Sequence, residues 1–299
     1  MNYNDLIKKL FLLLANINNK DMQVNLVREE LQKDILYSIY SRWYDLYFLW
    51  WTNLRICYKL DRFSEDLDFS ILKPDLNYDI NVLAKWIMDN FSQENWYDVS
   101  IKYWKVETVQ KMNIKIWNIL YDLWISPLKD EKIMIKIEID TNPSLGATYS
   151  KEIIESNFWT FILKNQDIAS TFSGKIWALL LREYTKGRDY YDLYWYFSNF
   201  SHKKFNREYI SNIIIQYNKN NNKNKTIPKT HKETLNMILE KLENTDYNKV
   251  KEDLKRFLDW SNDKLDLFFE KYNENMIRMI KIYNDNIEND TKNSKTFRL

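Results

Sequence analysis

Two aspartates one residue apart lie in the run Arg62-Phe63-Ser64-Glu65-Asp66-Leu67-Asp68-Phe69. Side chains alternate along a strand, so Asp66 and Asp68 share one face while Leu67 and Phe69 share the other. Two carboxylates aimed the same way repel each other, a poor arrangement for stability alone. They suit a hard divalent cation, which prefers oxygen ligands. A bare Asp-x-Asp is also what a solvated strand face yields by chance, so it needs company. Residues 133–140 supply it: Lys136, Glu138 and Asp140 share one face and Ile135, Ile137 and Ile139 the other. If this strand pairs beside the first, a third carboxylate, Glu138 or Asp140, joins the two aspartates. Carboxylates on adjacent strands form a usual site for one or two Mg²⁺ (or Mn²⁺) in phosphoryl-type transfer.

A third element precedes them. An apolar strand, the pair Trp50-Trp51, Thr52 and a short helix follow the plan of a phosphate-binding turn, with backbone N–H groups at a helix N-terminus facing the anion. Such a turn needs small residues for close approach. Tryptophans at 50 and 51 block it; glycines there fit.

The pattern along the chain divides the elements that must hold these groups. Residues 1–42 read as helical, with Val27, Leu31, Ile35 and Ile39 every fourth residue. The apolar run 10–15 behind Lys8 and Lys9 resembles a signal segment only faintly, since no small-residue cleavage site follows. Residues 44–49 and 65–71 read as strands, 54–60 and 79–91 as helices, and 99–140 as mostly β. After Lys151 the pattern reads as helical to about 284, followed by a frayed tail, and 218–225 reads as a solvated Asn/Lys loop. The expectation is an α+β domain over 1–150, a small mixed sheet with flanking helices, and an all-helical domain over 151–299.

Composition narrows the classes. The chain has 299 residues, 45% hydrophobic and 29% charged, with 44 Lys and Arg against 42 Asp and Glu. That balance excludes a bulk polycation. One cysteine, Cys57, and two histidines, His202 and His231, exclude an intrachain disulfide and clustered Cys or His metal sites. No apolar run approaches the ~18 residues of a membrane span, so no membrane partner and a cytoplasmic location are expected. One pair of counts is abnormal: 3 Gly and 12 Trp. At the usual ~7%, about 21 glycines would be present. Trp43, Trp50, Trp51 and Trp124 stand where turn or cap residues belong. The chain is rich in Asn, Lys and Ile, as A+T-rich coding gives, and that bias should deplete a residue coded only by UGG. The counts therefore predict UGA codons read as glycine in the source and translated here as Trp.

These residues resemble the AbiEii/AbiGii-type toxin nucleotidyltransferases, within the polymerase-β-like nucleotidyltransferase superfamily. That family opens with Gly-Gly-Thr/Ser, then Leu-Arg, then Arg-x-Ser-x-Asp-x-Asp-Phe. Here the stretch is Trp50-Trp51-Thr52-Asn53-Leu54-Arg55, then Arg62 to Phe69, and only the two glycines depart. A second family motif, Lys-x-x-Ala-Leu followed by Arg-Asp-x-x-Asp-Leu, is matched by Lys175, Ala178, Leu179, then Arg188, Asp189, Asp192, Leu193. The resemblance covers residues 44–195. It implies a metal-dependent nucleotidyltransferase toxin of toxin–antitoxin or abortive-infection type. Such an enzyme moves NMP from an NTP to an acceptor hydroxyl and releases pyrophosphate; RNA, at a tRNA 3′ end, is the implied acceptor and a cognate antitoxin the implied partner. By this reading Asp66 and Asp68 hold Mg²⁺ or Mn²⁺, with Glu138 the third ligand and Asp140 its competitor. Positions 50, 51 and 52, with Arg55, Ser64, Lys175 and Arg188, hold the NTP, and Asp189 orients Lys175 or the acceptor. The alternatives are transfer to a small molecule or protein, or a catalytically dead binding protein, which Trp50 and Trp51 as written would support.

Overall fold

The computed structural model describes residues 2–42, 45–182 and 184–296, with 290–296 as backbone only. The chain forms two compact units: Met1–Pro143 with Tyr149–Gln166, and Ser144–Thr148 with Asp167–Leu299. Trp43 lies outside the described residues.

The first unit opens with two helices. In α1 (Tyr3–Leu14) the Asn2 side chain caps the N-terminus by accepting from the Asp5 amide. Leu6, Leu10 and Leu14 recur every fourth residue and are buried, so the faintly signal-like run is one amphipathic helix that buries Leu10 and Leu14 and exposes Phe11 and Leu12. α2 (Lys20–Ser41), capped by Asn19, buries Val27, Leu31, Ile35 and Ile39. There follow β1 (Tyr47–Leu49), α3 (Trp50–Tyr58), β2 (Asp66–Ser70) and α4 (Ile80–Met88), which runs into a π-helical turn at Asp89–Glu94. Then come β3 (Val99–Val106), β4 (Val109–Ile116), the short α5 (Ile119–Asp122), β5 (Ile133–Asp140), β6 (Tyr149–Glu155) and β7 (Thr160–Gln166). The seven strands form one sheet in the order β3-β4-β5-β2-β1-β7-β6. It is mixed: β2/β5 and β1/β7 are parallel and the other neighbours antiparallel. One face of the central strands is the core, with Phe48, Leu67, Phe69, Ile135, Ile137 and Ile139 all buried.

The second unit is helical apart from its linking residues: α6 (Ile168–Leu181), α7 (Gly187–Asn199), α8 (Arg207–Asn221), α9 (His231–Glu243), α10 (Tyr247–Leu254), α11 (Asn262–Glu270) and α12 (Tyr272–Thr296). Tyr190, Tyr191, Tyr196 and Phe197 of α7 are buried and pack as core, with Tyr196 stacked on Phe172. Gly187 opens α7 against α10, where a Cβ would lie 2.1 Å from the Val250 carbonyl oxygen. No helix among the described residues is long and apolar enough to cross a membrane.

The α+β class with a mixed sheet followed by helices is as expected. Residues after Lys151 differ from the reading: the chain first makes β6 and β7 and turns helical at Ile168. β6 is a sheet edge with Lys151, Glu152 and Glu155 among its seven residues, so no clean alternation marks it. In β7 the consecutive apolar residues Phe161, Ile162 and Leu163 hide the alternation of buried Phe161 and Leu163 with exposed Ile162. The Asn/Lys stretch is helical to Asn221, and α12 continues to Thr296 where fraying was expected.

Among the described residues, three tryptophans have backbone conformations that bulky residues avoid. Trp50, Trp96 and Trp124 have φ of 60°, 61° and 62°. Trp96 is 70% and Trp124 86% exposed, so neither ring is buried in return.

Candidate active site

The parallel pairing of β2 with β5 sets the register of the acids. Asp66 lies opposite Lys136, Asp68 opposite Glu138 and Ser70 opposite Asp140. Asp66, Asp68, Lys136, Glu138 and Asp140 are all half-buried, while Leu67, Phe69 and the intervening isoleucines point into the core. The expected sharing of one sheet face by Asp66, Asp68 and Glu138 is thus what the register gives.

Cations balance this face. Glu138 forms an ion pair with Lys136 and a second, at 3.1 Å, with Lys111 on β4, which lies directly opposite it. Burial raises the Glu138 pKa, but the two ammonium groups outweigh burial and hold the carboxyl below its usual range. The Lys136 pKa is pushed down by burial and more strongly up by Glu138, Asp66 and Asp68, so its ammonium feels all three acids. Asp140 accepts from the Asn142 amide at 2.9 Å, and burial raises its pKa. Lys111 was not anticipated as part of the site. The alternation of Lys111, Asn113 and Lys115 along β4 puts it on the polar face, but its pairing with Glu138 follows only from the strand order.

The donor set fits a hard cation in part. Among the described residues no three His, Cys, Asp or Glu side chains converge as a ready cage. Asp66 and Asp68 remain a two-carboxylate oxygen site, and Mg²⁺ is commonly held by one or two carboxylates, substrate phosphates and water. Glu138, in register with Asp68, is drawn off by its two lysines.

The turn before the aspartates is braced by side chains. Trp50 starts α3 in the left-handed region, with no side-chain cap on the helix. Fully buried Thr52 donates its hydroxyl to Ser64 Oγ at 2.8 Å and approaches the Asp66 carbonyl, which ties the start of α3 to the start of β2. Ser64 is buried, and Gln32 of α2 donates to the Ser64 and Glu65 carbonyls at 3.1 and 3.0 Å. Asn53 donates to the Gln166 carbonyl and accepts from Asn165, joining α3 to β7. Arg55 pairs with Glu29 at 2.7 Å, donates to the Leu60 carbonyl and lies over the Phe63 ring. These contacts make Arg55 a clamp between α3 and α2; it was expected at the nucleotide.

In the helical unit Lys175 is 1% exposed and sits 2.7 Å from Asp192 and 3.9 Å from Asp189. Asp192 is therefore the closer partner, where the sequence suggested Asp189. Asp189 also pairs with Arg182 at 2.9 Å; burial raises its pKa against the pull of Lys175 and Arg182. Arg188 lies over the Phe257 ring, 4.0 Å to the centroid, and 3.9 Å from Asp253. Burial, with the charges of Arg188 and Arg182, lowers the Lys186 pKa to about 8.

The Nucleotidyl transferase AbiEii toxin, Type IV TA system family matches residues 52–270. The chain belongs to this family. Two solved structures share the fold: JHP933 from Helicobacter pylori, at TM-score 0.58 and 17% identity over 92% of this chain and 98% of that one, and an H. pylori "putative nucleotidyltransferase", at TM-score 0.53 and 17% identity over 88% and 96%. No curated protein matches. The AbiEii match starts at Thr52 and takes in Asp66, Asp68, Glu138, Lys175 and Asp189. It fixes the general reaction as nucleotidyl transfer within a toxin–antitoxin setting.

Proposed function

We propose that the chain is a metal-dependent toxin that transfers NMP from an NTP to an acceptor hydroxyl on RNA, at a tRNA 3′ end, and is held in check by a cognate antitoxin. The observation that carries this reading is the face shared by Asp66 and Asp68, in register with Glu138. Asp66 and Asp68 would hold Mg²⁺ or Mn²⁺, with Glu138 as third ligand if its lysines release it; the bound ion supplies charge neutralisation at the triphosphate. Lys136 and Lys111 keep Glu138 ionised. The residues at 50–52 present the backbone of the turn to the phosphates, and Thr52 fixes that turn to β2. The acceptor oxygen bonds to the α-phosphorus as the bond to the β-phosphate bridging oxygen breaks. Pyrophosphate leaves, and the hydroxyl proton passes to water or a site carboxylate. Lys175, Asp189 and Arg188 enter as the charged set of the helical unit, with Lys175 oriented by Asp192.

Incubation of the Trp50→Gly/Trp51→Gly chain with each labelled NTP, total RNA and Mg²⁺ or Mn²⁺ tests the reading. Label on RNA, lost in Asp66→Ala, is the expected result; label on protein or a small molecule, or none, overturns it. A second reading, a catalytically dead binding protein, is favoured by Trp50 at the turn. It predicts NTP-independent binding and no transfer even with glycine at positions 50 and 51.

A further inference from the structure

Positive charge is gathered on one stretch of the helical unit. Residues 200–233 contain eight Lys and Arg and two acids, Glu208 and Glu233, the latter accepting the Lys229 amide at 2.8 Å, although the whole chain is nearly balanced. Lys203, Arg207, Lys219, Lys223, Lys225, Lys229 and Lys232 are all exposed. Among the described residues none of the seven is ion-paired to a carboxylate, whereas Lys249, Lys251 and Lys255 of the same unit pair with Asp246, Asp266 and Glu252.

The fold gathers these cations at the two ends of α8. α8 has 15 residues and is ~22 Å long. At its C-terminal end Asn218 grips Lys225 through two hydrogen bonds of 2.8 and 2.9 Å, placing Lys219, Lys223 and Lys225 together. At its N-terminal end His231, the first residue of α9, lies 3.2 Å from the Phe205 carbonyl and against the Phe205 ring. The segment 222–230 therefore runs back along α8, carrying Lys229 and Lys232 to Lys203 and Arg207. Burial lowers the His231 pKa, and Arg207 and Lys204 add to that, the mark of a positive field at this end. Like charges held together at each end repel one another, so the arrangement favours an anionic partner that spans α8.

We propose that this stripe along α8 and the segment 222–230 is the docking surface for the sugar-phosphate backbone of RNA. The proposal rests on the reading of RNA as acceptor and names where that RNA is held. About six phosphates fit along ~22 Å at the ~3.4 Å per strand of a duplex. The residues between the lysines are mostly asparagines, at 218, 220, 221, 222 and 224, whose amides suit phosphate and sugar contacts. A docking site for an acidic protein would carry apolar anchors along its length and fewer lysines; the exposed large apolar residues here are Ile215 and Ile227, and Trp177 and Met237 line a cavity only at the Lys225 end.

Fluorescence anisotropy of labelled tRNA with the full chain, from low to high salt, tests this. Two triple variants are compared with the parent: Lys219→Ala/Lys223→Ala/Lys225→Ala and Arg207→Ala/Lys229→Ala/Lys232→Ala. Lys249→Ala/Lys255→Ala is the control. Each triple should weaken binding about tenfold or more and reduce the log–log salt slope by about 2, while the control matches the parent. Parental affinity and slope in both triples overturn the proposal. So does poly-glutamate that binds as tightly as tRNA through the same lysines, since the face would then serve an acidic protein. A parent that binds tRNA through the stripe but transfers no nucleotide strikes the proposed function and leaves the stripe standing.

A separate observation carries a second inference. We infer that the natural protein has glycine at positions 50, 96 and 124. The φ values near +60° at these places suit glycine and disfavour a bulky side chain. Other tryptophans are well seated: Trp159 donates to Asp34 at 2.8 Å and stacks on Tyr37, and Trp86 donates to the Ser38 carbonyl under the Arg42 guanidinium. The division by backbone conformation is what UGA read as glycine at some positions and UGG at others would produce. Peptide mass spectrometry of the protein from its source cells, with the gene sequence, tests it. Glycine and UGA at 50, 96 and 124 are expected; tryptophan in those peptides or UGG at those codons overturns the inference.

Discussion

At the scale of the residue, Asp66 and Asp68 carry the proposed site. They are half-buried on a face whose charge Lys136 also balances, so removing one carboxylate should change stability little. Asp66→Ala and Asp68→Ala are expected to lower metal-dependent transfer by about 10²-fold or more, on the scale of losing one preorganised electrostatic group. Melting midpoints should stay level. Initial rates with labelled NTP and RNA, beside thermal melts, check both halves. Glu138 is separated from Asp140 by its register opposite Asp68. Glu138→Gln should slow transfer, and Asp140→Asn should leave it within about twofold. The Glu138 carboxyl is held below its usual range, so its ion pairs with Lys136 and Lys111 stabilise the fold above the unfolded pKa of ~4.3. That contribution fades as pH falls through the lower, folded value. Denaturant melts from pH 7 downward should therefore show parent and Glu138→Gln converging in acid, with a gap of about 1 kcal/mol or less at pH 7.

At the scale of the element, the contact of α6 with α7 turns on a buried charge. Lys175 and Asp192 are both enclosed, and removing one leaves the other uncompensated, at about 3–5 kcal/mol. Lys175→Ala should lose roughly that much stability by chemical denaturation. Lys175→Met with Asp192→Leu replaces the pair by apolar bulk and should recover most of it. If Lys175 serves the triphosphate, this stable double variant still loses NTP affinity and turnover; parental kinetics would make the pair purely architectural. Where α7 meets α10, Gly187 allows the Val250 carbonyl to approach so closely that no Cβ fits. Gly187→Ala should cost about 1–3 kcal/mol by overpacking, read as a drop in melting midpoint.

At the scale of the whole molecule, the apolar core of the first unit runs through α1, α2, α4, α5 and the central strands without using the acidic face. Chelation with EDTA should therefore abolish transfer and leave the melting midpoint unchanged, with activity returning on Mg²⁺ or Mn²⁺ addition. A large fall in melting midpoint on chelation would mean that the ion is structural.

The sequence by itself determined whatever depends on local spacing. Alternation placed Asp66 with Asp68 and Glu138 with Lys136, and the four-residue rows of α1 and α2 marked their buried faces. The motif spacing was specific enough to point to the family. Excess tryptophan and missing glycine were visible as counts. Tertiary structure decided what depends on which elements meet. β2 and β5 are neighbours although more than sixty residues part them, and only that pairing sets Glu138 opposite Asp68 and Lys111 opposite Glu138. β6 escaped a local reading because it is a polar edge strand, and β7 because its apolar run Phe161-Ile162-Leu163 has no helix- or strand-specific period until β1 and β6 pair on either side. Asp192 rather than Asp189 lies nearest Lys175 because helix packing, not i,i+3 spacing, chooses between two acids on one helix. Arg55 turned to Glu29 for the same reason. Periodicity is a property of the chain, whereas a partner across the core is a property of the packed molecule.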